Sequence, residues 1–147
     1  PQEQFHDVGT LAAIAQLQSP QPGLVTLNAH GTLRFRVRQS HQLPHGLWVA
    51  DVEQLDADTP APVPADLRRF ATALAHVLQT LHDRQPETER TPPATPAQLD
   101  DCGWVANRWC ELLPVPLPLK QQLMALDNPL VRLELVGDVL DRTGIAP

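Results

Sequence analysis

The chain has 147 residues, enough for a core that hides about two-thirds of the unfolded surface without disulfide staples. Eleven Lys and Arg against 17 Asp and Glu give a formal charge of −6, which opposes long-range attraction to nucleic-acid phosphates or anionic lipid. No apolar run approaches the roughly 18 to 20 residues of a membrane helix, and two cysteines are too few for a disulfide framework, so a cytoplasmic protein that avoids membranes is expected.

Pro1 opens the chain and Met124 is its sole methionine, so a fragment or processed product is expected. The 16 prolines gather mostly at Pro20 to Pro22, Pro60 to Pro64, Pro92 to Pro96 and Pro114 to Pro118, and these clusters partition the chain. Thr10 to Gln18 and Leu24 to Ala29 are short and apolar, separated by Pro20, Pro22 and Gly23, which predicts two strands and a turn. After a break at His30-Gly31, Leu33, Phe35 and Val37 alternate with Arg34, Arg36 and Arg38, the period of a strand with one face in a core and one in water. Leu47 to Gln54 alternates less cleanly and predicts a fourth strand.

Beyond the proline-rich linker the period changes. Leu67, Ala71, Leu74, Leu78 and Leu81 step by four and three, predicting an amphipathic helix capped by Asp66. Gln85 to Ala94 has no large apolar anchor and reads as a mobile loop. Thr95-Pro96-Ala97-Gln98 is a capping box with proline at the first helical position, opening a helix whose Leu99, Cys102, Ala106, Trp109 and Leu113 share one stripe up to Pro114. A short helix from about Pro118 to Leu126 and a last one, reset at Asp127-Asn128-Pro129 and ended by Gly144, complete the chain. Strands first and helices second predict an α+β protein: a small antiparallel sheet or partly closed barrel over residues 1–57, then a helical bundle over residues 65–147.

Chemistry-bearing clusters are sparse. His76 and His82, six apart on a helix, diverge by about 120° and cannot share an ion. His41 and His45 flank a turn without a cysteine or carboxylate cluster, and His6-Asp7 has no serine or cysteine in a context to be activated. Asp100-Asp101 suit a helix start, where carboxylates meet the positive end of the dipole. Cys102 and Cys110, eight apart on one helix, lie roughly 12 Å from each other and cannot pair. Trp104 and Trp109 point to different sides of their helix, both by default into packing. Neither a phosphate-cradling nor a dinucleotide-binding glycine loop occurs. The row Arg34, Arg36, Arg38 is the one basic feature with the spacing to follow a phosphate chain; a solvated strand face that discourages aggregation is the plainer reading.

The run from Gly103 to Leu123, with its core Glu111-Leu112-Leu113-Pro114-x-Pro116-x-x-x-Lys120-Gln121, resembles the helix, proline hinge and following helix of the Lon protease substrate-binding domain. The resemblance continues through Met124 to Pro129 into Arg132-Leu133-Glu134, and upstream in Val8-Gly9-Thr10-Leu11-Ala12-Ala13-Ile14 and Gly31 to Val37. It implies a PUA-like pseudo-barrel followed by helices, with no catalytic residue, metal or cofactor, that recognises unfolded or tagged polypeptides, with a protease as a candidate partner. Two departures, the family's opening strands missing before Pro1 and no ATPase or protease domain after Pro147, suggest a stand-alone, N-terminally trimmed domain. Its unpaired sheet edge is expected to support weak self-association. An RNA-binding domain using Arg34, Arg36 and Arg38 is the alternative, and the client-contacting residues are unknown.

Overall fold

The computed structural model describes residues 4–145, in two compact units, Pro1–Ala57 and Asp58–Pro147. In the first, β1 (Val8–Gln21), β2 (Leu24–Gln42) and β3 (Trp48–Gln54) make an antiparallel meander in the order β1-β2-β3. The expected break at His30-Gly31 does not occur, because β2 runs through it as one 19-residue strand. The register with β1 shifts there instead, between Thr10↔Arg34 and Ala12↔Gly31, and Thr32 Oγ1 donates to the Leu11 carbonyl oxygen at 3.2 Å. Such a bulge bends a strand without ending it.

Gly9 stands opposite Phe35 in this ladder. A Cβ on Gly9 would lie 2.5 Å from the Phe35 ring, so only glycine lets the ring lie across the neighbouring strand. Around it Val8 is buried, and Phe35, Val37, Trp48 and Val49 are half-buried. Phe5 meets Trp48 edge-on at a centroid distance of 5.2 Å.

The second unit holds α1 (Arg68–Arg84), α2 (Pro96–Leu99), α3 (Cys102–Leu112), α4 (Leu117–Ala125) and α5 (Pro129–Thr143), with a single 3-10 turn at Glu87–Glu89. Asp66 does not cap α1: Leu67 occupies that position without a side-chain bond, and a backbone turn, Leu67 N to Pro64 O at 3.1 Å, starts the helix. The Thr95 capping box forms in both directions, at 3.2 and 2.9 Å. The helix it opens lasts one turn, however, where a continuous helix to Leu113 was expected.

The interruption has an identifiable cause. Residues 61–63 lie against Asp100–Cys102 as a short antiparallel bridge, in which Cys102 N donates to Ala61 O at 2.8 Å and Val63 N to Asp100 O at 3.1 Å. Asp101 is thereby held extended, and its carboxylate accepts from Trp104 N at 3.0 Å and Ala61 N at 3.2 Å, capping α3 anew. The last helix agrees with the sequence reading: Asn128 accepts from Leu130 N and Val131 N, and Gly144 closes it in the left-handed conformation.

One core cluster unites Phe70 and Leu74 of α1, Val105, Ala106 and Trp109 of α3, Leu113, Leu123, and Leu133, Val136 and Leu140 of α5. Burying each large apolar side chain contributes about 1.5 to 3 kcal/mol. Trp109 Nε1 finds its partner in the Phe70 carbonyl at 3.0 Å. Gly137 lets the Phe70 ring reach the α5 backbone, since a Cβ there would lie 2.5 Å from Cε2.

A cation sits inside this unit. Arg132 of α5 is 1% exposed, and its guanidinium forks onto both carboxylate oxygens of Asp58. It also donates from Nε to Leu123 O at 3.0 Å, from Nη1 to Asn107 Oδ1 at 3.2 Å and from Nη2 to the Leu126 carbonyl. One side chain thus fastens α3, the end of α4 and the segment leading in at Asp58.

Removing one partner of such a pair strands the other. Arg132→Met is expected to cost about 3 to 5 kcal/mol in urea unfolding, and the further change Asp58→Ala in that background should recover part of the loss. Gly137→Ala, which forces the Phe70 ring out of place, is expected to cost about 1 to 3 kcal/mol in the same measurement.

Candidate functional site

The β1–β2 hairpin extends as a two-stranded ribbon, turned at Pro22-Gly23 with Gly23 at φ 81°. Opposite residues of an antiparallel pair project from the same face, so the pairs Ile14↔Ala29 and Leu17↔Leu27 assign those four side chains a face each. On β2, residues 25, 27 and 29 alternate onto one side. On β1, Ile14 and Leu17 are three apart and would oppose each other in a regular strand. The register shift between Ile14 and Gln16 inserts Ala15 as an extra residue and returns Leu17 to the side of Ile14.

The result is a ribbon with two unlike faces. Ile14, Leu17, Val25 and Leu27 share one and are 61%, 64%, 60% and 54% exposed. The opposite face carries Gln16, Gln18, Thr26, Asn28 and His30, with Leu24 beside the turn as its large apolar residue and Asn28 Nδ2 donating to Gln16 Oε1 at 3.1 Å. An exposed apolar patch rimmed by polar residues is the usual mark of a contact surface.

The arginine row does not make an open basic stripe. Arg34 and Arg36 are half-buried, and a register irregularity between Val37 and Gln39 places Arg38 in a bulge. There its guanidinium is neutralised by Glu53 of the neighbouring strand. The structure lends the RNA-binding alternative no support, because spaced, available charges are what backbone recognition requires.

A second concave feature belongs to the helical unit. A cleft of about 570 Å³ runs between the C-terminal half of α1 and the segment 91–95, reaching the start of α3. Leu78, Leu81, Leu99 and Trp104 supply apolar walls, and Pro92 and Pro93 form its far side. Two polar atoms at this cleft, Gln85 Oε1 and Arg108 Nε, are buried without a hydrogen-bond partner among the described residues. The other end of Arg108 is taken up by Glu111, and its guanidinium lies 5.8 Å from the Trp104 ring centre. The segment expected to be a mobile loop is tied down here: His82 Nδ1 donates to Thr91 O at 3.0 Å and Arg90 Nε to Gln85 O at 3.2 Å.

Residues scrutinised for catalysis have structural employment. Asp101 caps α3 and Asp100 pairs with Arg68 at 3.0 Å. Burial pushes the thiols of Cys102 and Cys110 up, the first further raised by Asp101 nearby, so both stay protonated and poorly nucleophilic at neutral pH. Among the described residues no group of three His, Cys, Asp or Glu is arranged to hold a metal ion. No helix of the described residues is long and apolar enough to cross a membrane. Trp109 enters the core while Trp104 is half-buried at the cleft.

Neither surface was named as a site from sequence alone. For the ribbon a signal existed, since Val25, Leu27 and Ala29 alternate with Thr26, Asn28 and His30. The cleft had none, because its walls combine residues of three separate segments.

Comparison with known proteins bears on both surfaces. No curated protein matches the chain significantly. Among solved structures, the Lon N-terminal domain protein from Xanthomonas campestris is similar, with a TM-score of 0.72 and 27% sequence identity over 89% of this chain. The match spans 66% of that chain, just under two-thirds of its length. The family model of the ATP-dependent protease La (LON) substrate-binding domain matches residues 1–142. With an antiparallel three-stranded sheet, a set of following helices and a family match over nearly its whole length, the chain belongs to the LON substrate-binding domain family.

Proposed function

We propose that this chain is a non-catalytic module that binds unfolded or tagged polypeptides through exposed apolar surface and presents them to a protease. The observation that carries the reading is the ribbon face of Ile14, Leu17, Val25 and Leu27, apolar side chains more than half exposed on one side of two paired strands. Hydrophobic segments hidden in folded proteins and exposed in unfolded ones are the chemical match for such a face. Family membership supports a substrate-binding role, and the raised thiols of Cys102 and Cys110 make neither a ready nucleophile.

The same reading includes the fold's finer description, a PUA-like pseudo-barrel with a helical bundle, and a cytoplasmic place of work. It also includes weak self-association through β1, the outer strand in the order of the sheet.

Titration with a permanently unfolded, carboxymethylated polypeptide tests the reading. Saturable binding to the parent chain is expected. Leu17→Asp together with Leu27→Asp is expected to weaken it at least about tenfold, while circular dichroism and unfolding midpoint stay near the parent's because both sites are exposed. No binding by the parent would reject the module reading. Unchanged affinity in the double variant would remove the ribbon as its site.

A further inference from the structure

The cleft of the helical unit combines features that a peptide backbone would satisfy together. Its walls are apolar, from Leu78, Leu81, Leu99 and Trp104, and its far side is built from Pro92 and Pro93, neither of which has a backbone donor. At its margin, among the described residues, Gln85 Oε1 is an acceptor without a donor and Arg108 Nε a donor without an acceptor. A buried polar group without a partner is costly, and its pairing is regained by whatever supplies the complementary atom. Both atoms are closed off as the side chains stand, and both side chains are long and have several rotatable bonds, so an entering chain reaches them by shifting rotamers.

We infer that this cleft takes an apolar segment of an extended polypeptide, one backbone N–H donating to Gln85 Oε1 and one backbone carbonyl accepting from Arg108 Nε, with large aliphatic side chains against Leu78, Leu81 and Trp104. An extended chain is the occupant because every residue other than proline carries that donor and acceptor together, whereas a hydrocarbon or lipid tail offers neither. About 570 Å³ lies within the size range of small-ligand pockets and suits two or three side chains rather than a folded surface. Specificity follows from the same chemistry: segments rich in Leu or Phe are favoured over charged ones, and the backbone contacts read extension rather than sequence. The inference rests on the protein-binding reading and adds to it a second, independent contact point.

A ten-residue fluorescein-labelled peptide of alternating Leu and Ser, titrated onto the full chain, tests it by anisotropy, with tryptophan emission followed in a Trp48→Phe background, where Trp109 is sealed in the core and Trp104 alone lines the cleft. Binding with a change in Trp104 emission is expected. Gln85→Met, which keeps size and removes the acceptor, should weaken binding about five- to tenfold. A peptide N-methylated along its backbone should weaken it at least as much. Ala94→Phe, which fills the cleft from the 91–95 segment without adding an indole, should abolish the emission change, and Gln85→Met and the methylated peptide still decide the matter if that variant fails to fold. Leu17→Asp with Leu27→Asp should leave the Trp104 response intact. If the unfolded polypeptide binds but Trp104 stays silent and neither Gln85→Met nor N-methylation matters, the cleft assignment is overturned while the module reading stands. If neither ligand binds the parent chain, both fall.

Discussion

The helical unit is organised around a buried guanidinium. An arginine withdrawn from water is tolerable only where its donors are met, and Arg132 meets an aspartate, an asparagine and two carbonyls at once. The geometry demanded by that fork is more exacting than apolar packing, which tolerates rearrangement provided volume is kept. At the end of α4 the Leu126 carbonyl is met by Arg132, and the Leu123 carbonyl accepts from Arg132 Nε as well as from Leu126 N. The proline-punctuated break between α4 and α5 is thereby fixed in one conformation. Around this centre the apolar contacts of Phe70, Trp109, Leu133 and Leu140 supply the bulk of the burial, while Arg132 selects which of the possible packings is adopted.

Local signals were legible where the physics was local. The Thr95 capping box, the Asn128-Pro129 start and the Gly144 stop each depend on three or four adjacent residues, and each appears at the position the sequence indicates. The apolar stripe of α1 was legible as a helix but not in its division of labour: Phe70, off the stripe, is buried, whereas Leu78 and Leu81, on it, wall the cleft. The halt at Asp100-Asp101 was not legible, because it is imposed by residues 61–63, some forty positions earlier. The arginine alternation was read correctly as a strand, yet its chemical meaning turned on Glu53, a cross-strand neighbour that only the register reveals.

The two candidate surfaces differ in what they can distinguish. The ribbon presents aliphatic side chains on a repeating backbone, so its contribution is area, and area without directional bonds accepts many partners. The cleft couples a narrow apolar space to one donor and one acceptor, a pairing that carries geometry as well as area. A recognition domain that must accept many sequences yet refuse folded proteins is served by that combination, because extension of the chain, more than its composition, is the property unfolded clients share.

The extra residue at Ala15 has a consequence for how this ribbon can change over time. Side-chain identity along a strand is free to drift as long as greasy residues replace greasy ones, but the arithmetic of the backbone is not. Losing Ala15 would only remove the bulge and leave Leu17 on the side of Ile14, whereas losing Asn28 from the regular stretch of β2 would make Leu27 and Ala29 adjacent and send them to opposite sides, dividing the sticky surface between two sides of the ribbon. Away from the bulge the ribbon is therefore tolerant of replacement and intolerant of insertion or deletion, the reverse of what a surface loop of the same exposure would permit.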